Sequence, residues 1–268
     1  MPSTLKISVL KARNLPIMDR KSNLADPFVT IRFGPGKKHK TSVSNKNRNP
    51  VWNEKFRIDV SDDIVMQDEP VEFKVWDKDF YSYDEPIGVV LIDVNCLLMK
   101  DSPGKIEGWF PIYDTCALSG LRGYLQLSVK VTFFGDINPF KNSSAGLRIF
   151  SVSEVEGYCV SQVHGFVEEL LVENDPEYHW RDNFRASRLS NEARQRLFQE
   201  LTNKVRRTVG RKALELGATA ILGFRQELDL EGESGVIARA YGTACTLIKK
   251  ANYSNLAAGG GGGGGRRR

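Results

Sequence analysis

The segment from Val75 to Gly88 constrains this chain most, because it places four carboxylates within nine residues between two strand-like stretches. Side chains at positions i and i+2 of a strand point the same way, so Asp77 and Asp79 are expected on one side. Two carboxylates held that close repel each other unless water screens them or a cation lies between them. The pattern is compatible with a hydrated acidic loop, and it also fits an oxygen-lined site for a hard cation, above all Ca2+.

A second acidic loop favours the cation site over an ordinary hydrated loop. It contains Asp19 and Asp26 and also lies between strand-like stretches, Leu5–Leu10 and Phe28–Phe33. Two such loops at the same end of a sheet could combine their carboxylates around one ion.

Composition places the chain among globular proteins rather than disordered or membrane-spanning ones. Hydrophobic residues make up 41% of its 268 residues and charged residues 26%, which are ordinary globular values. The four cysteines are far apart, which predicts small buried side chains in a reducing compartment, not disulfides or a zinc site. With neither an apolar signal region nor a long apolar run, we expect a soluble intracellular protein that meets membranes from the aqueous side.

Charge is distributed unevenly along the first half of the chain. Residues 1–60 contain 13 Lys or Arg and 4 Asp or Glu, whereas residues 61–115 contain 4 and 13. A single domain built from both segments would be strongly asymmetric in charge, which could steer a charged partner.

In residues 1–134, apolar and polar residues alternate in short stretches separated by turn residues, which is typical of an all-β domain. Turn residues such as Gly34-Pro35-Gly36 and Asn49-Pro50 separate eight strand-like stretches, which predicts an antiparallel Greek-key sandwich. The predicted strands are Leu5–Lys11, Phe28–Phe33, Lys38–Val43, Glu54–Val60, Val71–Trp76, Ile87–Asp93, Trp109–Tyr113 and Tyr124–Phe133. We also expect a short helical turn over Asp93–Met99.

Three motifs in order resemble the C2 domain family. They are Met18-Asp19 through Ala25-Asp26-Pro27-Phe28-Val29, then Asn49-Pro50-Val51-Trp52-Asn53-Glu54, then Trp76-Asp77-Lys78-Asp79 through Ile87-Gly88. The strand order resembles the second of the family's two topologies, in which the strand at Gly123–Val129 comes last. The resemblance implies Ca2+ ligands at Asp19, Asp26, Asp77 and Asp79, with a further oxygen from Ser82. Glu85 stands where the family usually has Asp, so either Glu85 or the adjacent Asp84 would complete the set.

Basic and aromatic residues near these loops suggest contact with lipid. Lys38 and Lys40 share one face of a predicted strand, and Lys46 and Arg48 follow closely. They form either a solvated face or, by resemblance to some C2 domains, a groove for phosphoinositide headgroups. Phe80, Tyr81 and Tyr83 lie among the acids, where they would either fold back onto the sandwich or enter a membrane of anionic phospholipid such as phosphatidylserine.

A polar, turn-rich stretch over residues 135–146 predicts a linker, after which the pattern changes to α+β. In residues 147–250, strands are expected at Leu147–Val152, Cys159–Val172, Ala218–Leu228 and Val236–Ile248. A helix is expected to begin after an N-cap at Ser190, with a kink at Gly210 and a C-terminal stop at Gly217. Residues 251–268 predict a disordered low-complexity tail.

The second domain resembles the small bacterial YbjQ-like domains through Ala213–Gly223 and Gly242-Thr243-Ala244. The resemblance implies oligomerisation and a conjectured heavy-metal role. His164 and His179 are isolated histidines, which predicts structural roles rather than metal ligation.

The two domains in this order resemble the C2 domain-containing protein 5 family. By this resemblance the chain would be a divergent relative or an N-terminal fragment. The resemblance implies calcium-dependent membrane binding at the plasma membrane and at vesicles that carry insulin-responsive glucose transporters. A calcium-independent protein scaffold that forms homo-oligomers through its second domain is the alternative. No phosphate loop or hydrolase motif points to an enzyme, and nothing predicts a nucleic-acid partner.

Overall fold

A computed structural model describes residues 3–19, 23–79, 83–99, 102, 104–114, 120–176, 187–231 and 235–250. Eight strands and one short helix form the N-terminal domain. They are β1 (Ser3–Arg13), β2 (Pro27–Phe33), β3 (His39–Lys40), β4 (Val51–Val60), α1 (Asp63–Asp68), β5 (Val71–Asp77), β6 (Glu85–Ile92), β7 (Lys105–Tyr113) and β8 (Leu121–Phe133).

These strands form two antiparallel layers in the order β3-β2-β5-β6 and β7-β8-β1-β4. The pair Val89–Tyr113 connects β6 to β7 and so joins the layers. The last strand, β8, pairs with β1 along nearly its whole length. The predicted eight-stranded antiparallel sandwich is therefore confirmed.

Strand alternation fills the space between the layers. In β1 the inward residues Leu5, Ile7 and Val9 are at most 1% exposed, whereas Lys6 between them is exposed. Fully burying one such aliphatic side chain stabilises the fold by roughly 1.5–3 kcal/mol. Phe73 of β5, in the other layer, is also fully buried and belongs to the same hydrophobic core.

Two elements differ from the sequence-based prediction. β3 has only two residues where Lys38–Val43 was expected, because Thr41 uses its side chain as well as its backbone to bond Val29, which ends the regular ladder. Helix α1 was not predicted. Its six residues are too few to show helical periodicity, although Asp62 caps it by accepting hydrogen bonds from the N–H groups of Ile64 and Val65.

The predicted short turn after β6 is present as a 3-10 helix over Asn95–Leu97. The stretch predicted as a linker is packed against the N-terminal domain. Its residue Phe140 is 3% exposed and belongs to the sandwich core. The side-chain amide of Asn138 donates to the Leu98 carbonyl at 2.9 Å.

The second domain packs one long helix on one face of a four-stranded sheet. Its elements are β9 (Arg148–Ile149), β10 (Tyr158–Asn174), α2 (Ser187–Glu215), β11 (Ala220–Glu231) and β12 (Gly235–Lys249). The sheet order is β10-β12-β11-β9. Leu201, Val205, Val209 and Ala213 recur every fourth residue and are at most 1% exposed, so they form the buried apolar face of the helix.

The helix ends as predicted but begins earlier. Its first residue is Ser187, three residues before the expected cap at Ser190, and it continues through Gly210 as one element. At the C-terminal end Gly217 has φ of +82°, its N–H donates to Leu214 at 2.8 Å, and Ala218 donates to Ala213 at 3.0 Å. This pair of bonds is a Schellman motif, which needs a residue that tolerates positive φ.

The cysteines and histidines have structural surroundings where they are described. Cys245 is 1% exposed, while Cys96 and Cys159 are half-buried free thiols. The Nε2 atom of His164 lies 2.7 Å from the Thr246 hydroxyl. Cys116, His179 and the tail over residues 251–268 lie outside the described residues.

Candidate functional site

The two acidic loops meet at one end of the sandwich because β2 and β5 are neighbours. Pro27 is opposite Asp77 in their ladder, so Asp26 and Asp77 come together where the strands meet the loops. The Asp26 N–H donates to Asp77 Oδ1 at 2.6 Å, and the Lys78 N–H donates to the Asp26 carbonyl at 2.9 Å. Two carboxylates far apart in the sequence are thus fixed beside each other by backbone geometry. We call this end of the sandwich, formed by residues 14–19, 23–26, 77–79 and 83–85, the acidic tip.

Asp77 lies at the centre of the acidic tip and is only 9% exposed. Burial raises the pKa of its carboxyl above the usual range, against the effect of the Asp26 N–H. The negative charges of Asp26, Glu85 and Asp79 raise this pKa further. Glu85 contributes because it is directly opposite Asp77 in the β5–β6 ladder. Ionised Asp77 is therefore in an unfavourable environment that a nearby cation would relieve.

Asp19 belongs to the first loop of the acidic tip. Its backbone forms an isolated bridge with Leu24, and its N–H donates to the Leu24 carbonyl at 3.1 Å. The Asp19 side chain is exposed. Leu24 lies two residues before Asp26 in the chain, so this bridge holds the backbone of Asp19 next to the segment that leads to Asp26.

The two acids that could complete the ligand set point in different directions. Glu85 faces Asp77, whereas Asp84 forms an ion pair with Lys78, with Oδ1 and Nζ 2.8 Å apart. Asp84 also lines the neighbouring groove on the β2–β5 face. The geometry therefore favours Glu85 over Asp84 as a ligand at the acidic tip.

The donor chemistry of the acidic tip fits a hard cation. Its carboxylates are oxygen ligands of the kind that Ca2+ prefers. No closed cluster of three or more His, Cys, Asp or Glu with metal-binding geometry occurs within the described ranges, which omit residues 20–22 and 80–82. Ser82, Phe80 and Tyr81 fall in the second of these gaps and are outside the described residues. Tyr83 is described and is 93% exposed.

A basic groove lies beside the acidic tip, on the outward face of β2, β3 and β5. It encloses about 360 Å³ and is lined by Phe28, Thr30, Lys38, His39, Lys40, Trp76 and Asp84. Lys40 Nζ lies 3.6 Å from the centre of the Phe28 ring, and Lys38 Nζ lies 5.5 Å from that of Trp76. The predicted pair of lysines therefore shares one groove.

The other two predicted basic residues lie in the connection between β3 and β4. The Lys46 N–H donates to Asp26 Oδ1 at 2.5 Å, and the Arg48 guanidinium donates to the Leu15 carbonyl at 2.7 Å. Lys46 therefore adjoins the acidic tip, and Arg48 is bonded to the loop that follows β1.

Sequence reasoning missed Lys74, which reaches the same region from β5. Its Nζ lies 4.4 Å from the centre of the Trp76 ring, although the residue is only 8% exposed. Alternation along β5 could have identified it, because Lys74 and Trp76 share the outward face of that strand. The sequence pattern gave no indication of its partner, Glu192 of α2, whose Oε2 lies 2.6 Å from Lys74 Nζ.

Comparison with known proteins agrees with this two-domain arrangement. The C2 domain family model matches residues 3–112, and the model described as "C2 domain-containing protein 5, YbjQ-like domain" matches residues 141–252. C2 domain-containing protein 5 of Xenopus tropicalis is 47% identical over 254 residues, which cover 94% of this chain and 25% of the relative. The chain belongs to the C2 domain-containing protein 5 family.

Two further similarities, both to synaptotagmins, each cover about half of this chain. Synaptotagmin-7 of Mus musculus is 38% identical over 129 residues, covering 47% of this chain and 31% of that protein. A solved C2 domain of plant extended synaptotagmin 1 is 28% identical with a TM-score of 0.41, covering 48% of this chain and 93% of that domain. The chain spans about a quarter of the length of the C2 domain-containing protein 5 relatives.

These assignments suggest membrane-related or calcium-related binding. C2 domains generally bind calcium and phospholipid membranes, and the domain architecture of the family is non-catalytic. Within the described residues, no helix combines the length and the apolar character needed to cross a membrane. The C2 sandwich extends beyond the matched residue 112, because β8 continues to Phe133 in full pairing with β1.

Proposed function

We propose that the C2 domain binds anionic phospholipid membranes, such as those containing phosphatidylserine, in a calcium-dependent way. The observation that supports this most is the burial of Asp77 between Asp26 and Glu85, with the charge of Asp79 close enough to raise its pKa. Such a cluster is electrostatically unfavourable alone and becomes favourable when a divalent cation binds.

The residues of the acidic tip would act by changing the charge presented to the membrane. Asp26, Asp77, Asp79 and Glu85 would hold Ca2+, and Asp19 and Ser82 are the further predicted ligands. Without the ion these carboxylates repel acidic lipid. Bound Ca2+ supplies positive charge and free coordination positions for lipid oxygens. The switch is electrostatic and involves no covalent step.

Two further surfaces would strengthen the contact. Tyr83 is 93% exposed beside the acids and would enter the headgroup region together with Phe80 and Tyr81. The basic groove, with Lys38 and Lys40, would accept a phosphoinositide headgroup. Lys74, next to Trp76 at the border of the groove, and Lys46, beside the acidic tip, would add positive charge. Recruitment to plasma-membrane and vesicle surfaces, and a role in transporter-vesicle traffic, follow from the family resemblance as part of this proposal.

Vesicle sedimentation tests the calcium dependence. The full chain is mixed with vesicles containing phosphatidylserine, in calcium and in EGTA, alongside the variant with Asp77→Asn and Asp79→Asn. A matched control, Asp229→Asn with Glu231→Gln, removes two exposed charges from the second domain. We expect calcium to increase binding of the wild type and of the control but not of the acidic-tip variant. Equal sedimentation of all three proteins in both buffers would refute the proposal.

A scaffold that assembles through the second domain is the second candidate. The long strand β10 lies at the edge of its sheet, and Phe166, Leu170 and Val172 are 64%, 42% and 56% exposed on the face away from α2. An exposed apolar edge of this kind favours pairing between copies. Light scattering on the full chain should then give a multiple of the monomer mass that Phe166→Ser with Val172→Ser reduces. A wild-type monomer over the whole concentration range would exclude assembly through this edge.

A further inference from the structure

Four basic residues form a continuous row across the outward face of the second layer of the sandwich. In the ladder registers Arg57 of β4 is opposite Lys6 of β1, Lys6 is opposite Lys130 of β8, and Lys130 is opposite Lys105 of β7. All four residues are exposed. With neighbouring strands about 4.8 Å apart, the row is about 14 Å long. We call it the basic row.

The stability of the sheet alone does not account for the basic row, because like charges directly opposite each other destabilise a sheet. The outer two members are compensated within their own strands. Arg57 pairs with Asp59 at 2.9 Å, and Lys105 pairs with Glu107 at 2.5 Å. The two central lysines, Lys6 and Lys130, have no ion pair with any described residue. Two unneutralised cations therefore lie side by side at the centre of the face.

The rest of this face adds positive charge. Lys55, Lys11 and Arg13 are exposed on the same side of β4 and β1. Arg13 lies over the Trp109 ring at 4.2 Å and the Tyr124 ring at 5.1 Å. On the outward side of β4, β1, β8 and β7 the acidic residues are Asp59 and Glu107, which pair with Arg57 and Lys105. The face as a whole is therefore strongly basic.

We propose that this face, centred on Lys6 and Lys130, is a docking surface for an anionic phospholipid bilayer that does not require calcium. It is separate from the basic groove, which lies on the opposite layer. The charges project from four adjacent strands, a distribution that suits an extended anionic surface better than one small headgroup.

Aromatic and exposed apolar residues next to the basic row favour a bilayer over an acidic protein or a nucleic acid. Towards the acidic tip, the same layer presents Trp109 and Tyr124, aromatic residues with polar edges that suit a membrane interface. Beyond them, Leu121 at the start of β8 is 41% exposed, and Ile17 in the loop after β1 is 47% exposed. The basic face thus continues into exposed apolar residues at the end of the domain that is proposed to meet the membrane.

Binding in EGTA separates this surface from the acidic tip. The full chain is mixed with phosphatidylserine–phosphatidylcholine vesicles and with phosphatidylcholine vesicles at low and high salt. Lys6→Glu with Lys130→Glu is compared with Lys141→Glu plus Lys249→Glu, which reverses two exposed charges elsewhere. We expect salt-sensitive binding to the anionic vesicles that falls about tenfold or more in the first variant and little in the second.

Two more variants make the result interpretable. Lys6→Gln with Lys130→Gln relieves the repulsion between the lysines and is expected to fold at least as stably as the wild type, so its weaker binding cannot come from unfolding. The variant Lys38→Gln with Lys40→Gln measures how much of the vesicle binding in EGTA is due to the basic groove. Undiminished EGTA binding of the Lys6/Lys130 variants overturns the proposal. Binding to acidic protein or RNA with none to anionic vesicles also overturns it. The calcium-dependent increase is a separate measurement, so loss of one leaves the other testable.

Discussion

Arg207 of α2 holds the buried carboxylate of Asp68 at the end of α1 through two parallel hydrogen bonds, Nε to Oδ1 at 2.8 Å and Nη2 to Oδ2 at 2.9 Å. The backbone carbonyl of Asp68 also accepts a bond from the Asn203 amide at 3.1 Å. Asp68 belongs to the C2 domain and Arg207 to the YbjQ-like domain. A paired, geometrically specific contact therefore connects the two domains.

Removing Arg207 should weaken this connection substantially. Arg207→Ala leaves the Asp68 carboxylate, 8% exposed at its side chain, without its cation, and breaking such a pair costs about 3 kcal/mol. We expect a lower unfolding midpoint and faster amide exchange in α1. The control Arg211→Ala removes an exposed arginine one turn later and should change stability by less than about 0.5 kcal/mol. Equal effects of the two substitutions on the unfolding midpoint would show that the Arg207–Asp68 pair contributes little to stability.

The same interface explains the uneven charge of the sequence. Glu69, within the acidic stretch 61–115, pairs with Arg196 of α2, and Asp93 pairs with Arg206 at 3.4 Å. The acidic segment therefore faces a basic helix of the same chain, whereas the sequence alone suggested steering of an external partner. Residues separated by more than 100 positions carry no periodic pattern, so this pairing could not be predicted from the sequence.

Asp77→Asn should stabilise the protein in EGTA. Because the folded-state pKa of Asp77 is raised above its ordinary value of 3.8, the folded state binds more protons than the unfolded state in the range between the two values. The contribution of Asp77 to the free energy of unfolding is therefore fully present below pH 3.8 and is lost as the pH rises through the raised pKa. Asp77→Asn has no carboxyl to ionise and so avoids this loss of stability, and its amide oxygen can still accept the hydrogen bond from the Asp26 N–H.

The measurement is thermal unfolding in EGTA at about pH 4 and about pH 7. We expect the variant to gain stability over the wild type on the order of 1 kcal/mol at the higher pH and less at the lower one. Asp229→Asn, at an exposed position, should show no such pH-dependent difference. Calcium should stabilise the wild type but not Asp77→Asn. A variant less stable than the wild type at both pH values would contradict this account of the acidic tip.

Gly88→Ala should destabilise the junction between the two layers. A Cβ atom at Gly88 would lie 2.6 Å from the Tyr113 carbonyl oxygen and 2.8 Å from Ile112 Cγ2, next to the pair that joins β6 to β7. Overpacking of this kind typically costs about 1–3 kcal/mol. Gly108→Ala is the matched control, because its Cβ would have no atom within 4 Å. Chemical denaturation compares the two, and equal midpoints would show that the backbone yields at no cost.

Strand alternation predicted the sandwich and the meeting of the two acidic loops. It worked because both depend on local patterns such as Val71–Trp76 and on the adjacency of neighbouring strands. The orientation of individual acids was harder to predict. Asp84 and Glu85 are adjacent in sequence, but only Glu85 belongs to β6, where it is opposite Asp77 beyond a register shift between Val75 and Trp76 in the β5–β6 ladder. The basic row was also missed. Its four residues lie on four different strands and become neighbours only through the registers of the ladders between them.

Glu192→Gln should increase binding of anionic lipid in the basic groove. Glu192 neutralises Lys74, whose Nζ lies 2.6 Å away, so the YbjQ-like domain reduces the positive charge at one end of the groove. Removing the carboxylate frees about one positive charge near the lipid, worth roughly 1 kcal/mol or about fivefold in affinity. Binding to phosphoinositide vesicles in EGTA measures this, with Glu215→Gln, exposed at the end of α2, as the control. Lys74→Gln should have the opposite effect. If Glu192→Gln bound no more tightly while its unfolding midpoint stayed close to that of the wild type, Lys74 would not contact the lipid.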